Sequence, residues 1–245
     1  MNDAIASELA RFRSRVRAWL AENAQCREAV SPPGHAADGQ NGDSPQAVEA
    51  AKSFQAKLYD AGLAGLTWPE AYGGQGLTMA HERVFNEEAG GYLIPTGPLI
   101  ISLGICAPTL LESGTEEQRL RHIPRMLRGD EVWCQLFCDP GTVGEPTHPR
   151  TRAVRDGDAW VINGQKIWTA GAHYSDYGLL FAHAGADVPN RRGLAKFIVD
   201  MRSPGVIVHS RRRTIDRTAV SEVLLENVRI PVGNLVGHVN AAGRP

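Results

Sequence analysis

The sequence is poor in several things, and each shortage excludes a class. It has four cysteines in 245 residues, at positions 26, 106, 134 and 138. They are too few and too scattered to staple a small secreted fold with disulfides. Cys134 and Cys138 stand four apart, but no second pair completes a zinc site, so the thiols read as core or near-core groups and no metal is expected. No apolar run approaches the roughly 20 residues that span a bilayer. The opening MNDAIASELARFRSR lacks an apolar secretory core. The formal net charge is only −1, so no global field favours nucleic acid or an anionic membrane. GxSxG, HExxH and Walker patterns are missing too. Together these absences suggest a cytoplasmic chain with no nucleic-acid partner and no membrane span.

What is present divides into two halves of different period. Ile5, Leu9, Phe12, Val16 and Trp19/Leu20 make one apolar stripe on a helix over 3–23. Residues 31–43 (SPPGHAADGQNGD) read as a loop. Ser44-Pro45 starts a second helix, with Ala47, Ala51, Phe54 and Leu58 on one side and an end near Gly62. Thr78 caps a third, running to about Ala89. The nearly all-apolar stretch 97–112 suits a buried helix. Thr115-Glu-Glu-Gln118 is a capping-box signature for a fifth helix stopped at Gly129.

After Asp130 the period shortens. Thr151–Arg155 and Ala159–Ile162 flank Asp156-Gly157-Asp158, a hairpin signal, and Asn163-Gly164 marks another turn. Short strands are expected at 132–138, 178–183, 194–200, 205–210 and 221–229. Strands this short and regularly spaced suggest an antiparallel barrel or sandwich. The expected fold class is therefore α+β: an all-α N-terminal domain over 1–130, then an antiparallel β-barrel domain over 131–237. The last residues, 238–245 (HVNAAGRP), read as a tail.

The residues offer few conventional sites. GGQG at 73–76 follows no expected strand, so a loop held by its glycines is a better reading than a phosphate cradle. His148 and His173 do not cluster with other ligands, and Arg211-Arg212-Arg213 reads as a solvated edge or a phosphate contact. Two stretches are more suggestive. Cys138-Asp-Pro-Gly-Thr-Val-Gly-Glu-Pro146 leaves a strand for a Gly- and Pro-rich loop able to aim backbone N–H groups at an oxygen. Lys166-Ile-Trp-Thr-Ala-Gly171 sets a large aromatic beside a hydroxyl; Trp168 is either barrel core or a surface for a flat ring.

These stretches resemble the acyl-CoA dehydrogenase family. GLTWPEAYGGQGLT at 65–78 is similar to a segment crossing its N-terminal helical domain. TRAVRDGDAWVINGQKIWTAGAH at 151–173 resembles its middle-domain hairpin and flavin loop. GLAKFIVDMRSPGV at 193–206 and SEVLLENVRIPVGNLVG at 221–237 resemble its later barrel strands. The resemblance implies a C-terminal four-helix domain after the barrel, and the chain is expected to lack it. It also implies a reaction: a base takes the α-proton of an acyl-CoA thioester while hydride leaves Cβ for FAD, and electrons pass on to an electron-transferring flavoprotein.

Residue by residue, the resemblance implies that Gln135, Phe137 and Cys138 run past the pyrimidine edge of the flavin, Phe137 and Cys138 through backbone groups. Gly141 belongs to the neighbouring loop, and Trp168, Thr169 and Ala170 to the wall beside the isoalloxazine. Gly144 and Glu145 fall at substrate-binding positions. No catalytic residue carries over. The family loop reads roughly E-P-G-x-G-S-D, against Asp139-Pro-Gly-Thr-Val-Gly-Glu145 here, so Val143 and Gly144 replace a tight-turn glycine and a serine. Ala170 stands where the family usually has a hydroxyl bonded to flavin N5. One such bond is worth about 0.5–1.5 kcal/mol, so its loss weakens FAD binding and does not abolish it. With the family's C-terminal contacts to FAD also expected to be lacking, FAD is expected to be weakened or absent in the isolated chain. The expected function is that of an incomplete acyl-CoA dehydrogenase chain, inactive alone, with a homologous or complementary chain as partner. Alternatives are a non-catalytic subunit of a hetero-oligomer, or a non-redox acyl-CoA-binding or scaffolding protein.

Overall fold

The computed structural model describes residues 2–27, 43–141, 150–184, 193–212 and 219–240. Helices come first. In α1 (Asn2–Asn23) the apolar stripe buries Phe12, Val16 and Leu20, while Ile5 at its start stays exposed. α2 (Pro45–Asp60) begins at Ser44, whose Oγ accepts the Ala47 N–H at 3.2 Å. It buries Val48, Ala51, Phe54 and Leu58. A two-residue ribbon, β1 (Gln25–Cys26) with β2 (Tyr92–Leu93), ties the end of α1 to the chain leaving α3 (Met79–Ala89). Thr78 precedes α3, but its hydroxyl meets His81 Nδ1 at 2.9 Å instead of capping a backbone N–H.

The loop before α3 explains GGQG. A Cβ on Gly74 would lie 2.3 Å from the Trp68 carbonyl oxygen, so only glycine fits. The N–H groups of Gly73, Gly74 and Gly76 are spent on the carbonyls of Glu70, Pro69 and Trp68. None of these three points outward to a phosphate.

The expected single helix over 97–112 is a correction. The chain makes a 3-10 turn (Gly97–Leu99), a π-helical segment (Ser102–Cys106) and then α4 (Ala107–Ser113). Pro108 is the reason. It has no N–H to give Gly104, and its ring crowds that carbonyl. The wider turn, closed by Ala107 N–H on Ser102 O, accommodates it. α5 (Glu116–Arg128) has its capping box in full: Thr115 Oγ1 accepts from Gln118 N, and Gln118 Oε1 accepts from Thr115 N.

The second half is an eight-stranded sheet: β3 (Trp133–Leu136), β4 (Arg152–Asp156), β5 (Ala159–Ala170), β6 (Tyr177–Ala184), β7 (Leu194–Asp200), β8 (Val206–Arg212), β9 (Ala219–Pro231) and β10 (Leu235–Asn240). The neighbour order is β10-β7-β6-β4-β5-β9-β8, with β3 also on β6. The α+β class stands, with helices before strands. Closure and direction differ from expectation. Among the described residues the sheet is open, and β3–β6 and β4–β6 are parallel. β6 is the cause: residues 177–180 hold β3 and residues 183–184 hold β4, so two strands share one edge.

Two further corrections follow. Asn163-Gly164 is no turn. β5 runs straight through it with a register shift against β9, and Asn163 and Asn227 exchange hydrogen bonds there at 2.9 and 3.1 Å. A Cβ on Gly164 would sit 2.5 Å from Thr151 Oγ1, so the glycine answers crowding. The segment expected as a tail from residue 238 is strand as far as Asn240, paired with β7.

One core crosses from helices to sheet: Phe12, Leu58, Leu110 and Met126 pack with Trp133, Leu179, Ile198 and Val236. A second lies on the sheet, around Leu136, Ile162, Leu180, Phe197 and Val223. Polar groups register the two halves. Ser102 Oγ accepts the Trp133 N–H at 2.7 Å, and Gln118 Nε2 donates to the carbonyls of Gly233 at 2.7 Å and Leu235 at 3.0 Å. Buried Glu131 accepts from Trp133 Nε1 at 3.2 Å and pairs with His122 Nδ1 at 2.8 Å. Burial raises the Glu131 carboxyl, but hydrogen bonds from His122, Trp133 and Arg125 leave it below its usual range. No helix among the described residues is long and apolar enough to cross a membrane.

α1 is also tied to α3 by charge. Arg13 and Arg17 donate to Glu88 at 2.7 to 3.0 Å. Hydrogen bonds from Arg17 and then Arg13 draw the Glu88 carboxyl from 4.5 down to about 2. A lowered carboxyl stabilises the fold fully above its unfolded value and stops doing so as pH falls to its folded value. Glu88→Gln should therefore be less stable than the natural chain at pH 7, and the gap should close between pH 4.5 and 2. Denaturant melts across that range check this; a gap independent of pH counts against the assignment.

Candidate functional site

β5 does not end as a plain strand. Its pairing with β9 shifts register between Lys166 and Thr169. Inside that bulge Trp168 takes φ 59°. For a bulky L-residue this conformation costs about 1–2 kcal/mol. Strain of this kind concentrates at binding sites, where surrounding structure holds it in place. The indole is not barrel core: Trp168 is 55% exposed.

The segment leaving β3 lies against this bulge. The Cys138 carbonyl accepts the Ile167 N–H at 2.9 Å, an isolated antiparallel bridge. Phe137 stacks its ring on Phe181, centroids 4.1 Å apart and planes 14° from parallel, and its carbonyl accepts from Lys166 Nζ at 3.3 Å. Phe137, Cys138, Trp168, Thr169 and Ala170 thus come together. Gln135 is half-buried two residues back on β3, opposite Leu179. Gly141 has φ 77° and packs under the Arg150 guanidinium. Gly144 and Glu145, with Val143 and His148, lie outside the described residues.

Thr169 and Ala170 point opposite ways, as neighbours on a strand do. Ala170 is exposed, while Thr169 is 1% exposed and its Oγ1 has no hydrogen-bond partner among the described residues. That hydroxyl is closed off from solvent, so it cannot stand in for the one Ala170 lacks. Only the backbone of Thr169 is available to a ligand. Beyond the bulge, a cleft of about 580 Å³ is lined by Ser44, Lys52, His173, Tyr174 and Ser210. Burial pushes the Tyr174 hydroxyl up to about 12, so it stays protonated at neutral pH. His173 is exposed, with Nε2 3.3 Å from the Asp43 carbonyl. Arg211 and Arg212 end β8, and Arg213 lies outside the described residues.

Cys106 and Cys134 are fully buried, and burial pushes both thiols up, Cys134 to about 12, so neither is a nucleophile. Among the described residues, no three His, Cys, Asp or Glu side chains converge as a metal site.

The sequence reading missed the two most buried charges among the described residues. Lys166 is 0% and Asp139 1% exposed, with Nζ 2.7 Å from Oδ1. The signal was present: a lysine between strand residues needs a counter-charge if it faces inward, and Asp139 opens the facing loop.

Residues 7–130 match the family described as Acyl-CoA dehydrogenase, N-terminal domain, and residues 134–228 match Acyl-CoA dehydrogenase, middle domain. Similar relatives include Acyl-CoA dehydrogenase FadE34 of Mycobacterium tuberculosis, 37% identical over 78% of this chain and 26% of that protein. Acyl-CoA dehydrogenase IpdE1 of the same organism is 33% identical over 92% of this chain and 58% of that one. Among solved structures, the Tcur3481-Tcur3483 steroid ACAD superimposes with TM-score 0.75 at 29% identity, covering 97% of this chain and 59% of that one. The ChsE4-ChsE5 complex from Mycobacterium tuberculosis gives 0.72 at 30%, covering 96% and 57%. The chain thus spans less than two thirds of the length of each of these proteins.

Filling the Thr169 site with a methyl removes an unpartnered buried hydroxyl. Thr169→Val should stabilise the ligand-free chain by about 1 kcal/mol. Thermal melts test this; a loss of similar size would mean the hydroxyl has a partner after all.

Proposed function

Because the chain belongs to the acyl-CoA dehydrogenase family, we propose that it supplies one wall of a flavin site in an acyl-CoA dehydrogenase assembled with a homologous chain. The observation that carries this reading is the bulged end of β5, where Trp168 is exposed at positive φ beside Cys138. A flat, exposed indole next to a strand end is suited to a planar ring. The residues fit a flavin through backbone groups and the indole: the peptides of Phe137 and Cys138 on one side, and Trp168 with the backbone of Thr169 and Ala170 on the other. Gln135 and Gly141 belong to the same wall in this reading, with Gly144 and Glu145 toward the substrate. The family is FAD-dependent, and bound FAD supplies the acceptor for the electrons leaving an acyl-CoA thioester. This chain's part is to orient that ring. Its buried carboxylates Asp139 and Glu131 are already paired, so the base is assigned to a group elsewhere in the assembly.

Partnership with a second chain is supported by two similar structures, the Tcur3481-Tcur3483 steroid ACAD and the ChsE4-ChsE5 complex, each of which is named for two components. Acyl-CoA as substrate and an electron-transferring flavoprotein as electron acceptor follow from the family reading; a cytoplasmic location is part of the proposal, supported by the lack of a membrane-spanning helix among the described residues. A second reading, a non-catalytic subunit, is favoured by Ala170: position 170 brings no hydroxyl to the proposed flavin edge, and the buried Thr169 hydroxyl cannot replace it.

The test is co-purification with candidate homologous chains followed by a flavin absorbance spectrum. The expected result is little or no flavin on the chain alone and flavin in a complex. Absence of flavin in every combination would sink the cofactor reading. Ala170→Thr should tighten FAD binding about 2- to 10-fold, the worth of one hydrogen bond. Flavin bound with no response to this change would place it at the partner chain's own site and support the non-catalytic reading.

A further inference from the structure

A single carboxylate closes both ends of the segment between Asp139 and Thr151. Asp139 accepts the N–H groups of Arg150 and Thr151 and, at 2.7 Å, the Thr151 hydroxyl. Its counter-ion is Lys166 on β5, two residues before Trp168. The ammonium has three donors. Besides Asp139 at 2.7 Å it reaches the carbonyls of Phe181 at 2.7 Å and Phe137 at 3.3 Å. One charged pair therefore joins the exit of β3, the start of β4, the middle of β6 and the bulged end of β5.

Stability alone does not account for this pair. Two buried charges are costly to desolvate, and apolar residues of similar volume often stabilise a fold as well or better. Burial lowers the Lys166 pKa, and the neighbouring carboxylate only partly offsets that. Charges do supply direction, because each donor and acceptor fixes one spacing, whereas an apolar contact tolerates sliding. The spacing at stake is that of the Cys138–Ile167 bridge, whose two residues adjoin Asp139 and Lys166 in the chain and whose β5 member directly precedes Trp168.

We infer that Lys166 and Asp139 are positioning residues, which hold the Phe137–Cys138 backbone in register with the Trp168 bulge. Only the use to which that register is put rests on the flavin reading.

The test uses Lys166→Met, Asp139→Leu and the double variant, each in the full chain. Each single change leaves a buried charge unpaired and should lower Tm. The double change removes both charges and should recover it. The Ile167 amide, which is bonded to Cys138 and not to the pair, should still exchange hydrogen for deuterium about tenfold faster in the double variant, the equivalent of one weakened hydrogen bond. FAD affinity in the assembled complex should stay about tenfold weaker for the same reason. A double variant with natural Ile167 exchange overturns the inference, because the pair is then only structural. Faster exchange with unchanged FAD affinity overturns the link to the cofactor. If the natural chain binds no FAD in any assembly, the flavin reading fails and the Ile167 exchange still decides the inference. Should the single variants not fold, Thr151→Val, which removes one of the groups donating to Asp139, is the milder probe. It should speed Ile167 exchange about threefold, and no change there counts against the pair.

Discussion

The architecture depends on satisfying β3. A buried strand must pair its N–H and C=O groups along both edges. β6 takes one edge in parallel register. The other faces the helices, and there the backbone of Trp133 bonds to the Ser102 hydroxyl while the Cys134 carbonyl lies 3.6 Å from Cys106 Sγ. Ser102 and Cys106 are the two ends of the π-helical segment, whose wider turn is set by Pro108. A helical irregularity thus serves as the missing neighbour of a strand, and the two halves share one core because of it. Everything at the site is measured from β3: Phe137 and Cys138 leave its end, and the bulge of β5 is met there.

Periodicity made the helices legible. The α1 stripe, the Ser44 cap and the Thr115–Gln118 capping box came through because each is a local rule applied to adjacent residues. The strands were legible as short apolar runs, but their pairing was not. Nothing near Trp133 says that its neighbour is Tyr177, or that β6 will divide an edge between β3 and β4. Asn163-Gly164 misled because the same dipeptide suits a turn and a bulge; which one forms is decided by Asn227 and Thr151, both distant in sequence or held by a loop. The family resemblance singled out 137–138 and 168–170, stretches that the fold brings side by side. It could not tell that the Thr169 hydroxyl is closed off, since that depends on which side of the bulge each residue falls.

Among the described residues the candidate site is spare in side-chain chemistry. Its exposed features are an indole, a methyl and backbone, and its charged groups are withdrawn beneath the surface. A wall of this kind selects by shape and by fixed peptide geometry. That division also explains why the buried lysine matters more than its lack of exposure suggests: the surface it supports has few polar side chains with which to correct a misplaced ligand.

The long reach of these contacts also bears on how the chain is made. Gln118, in the helical half, gives its amide to carbonyls 115 and 117 residues further on, and β3 waits for a strand whose residues lie 44 positions downstream of their partners. Contacts this distant form slowly, because the intervening chain must close before they stabilise anything. On the ribosome the helices emerge first, with the side of α5 that meets β10 still open. The helical half therefore has an unfinished face until β10 is synthesised, and that interval is when a chaperone has most to cover.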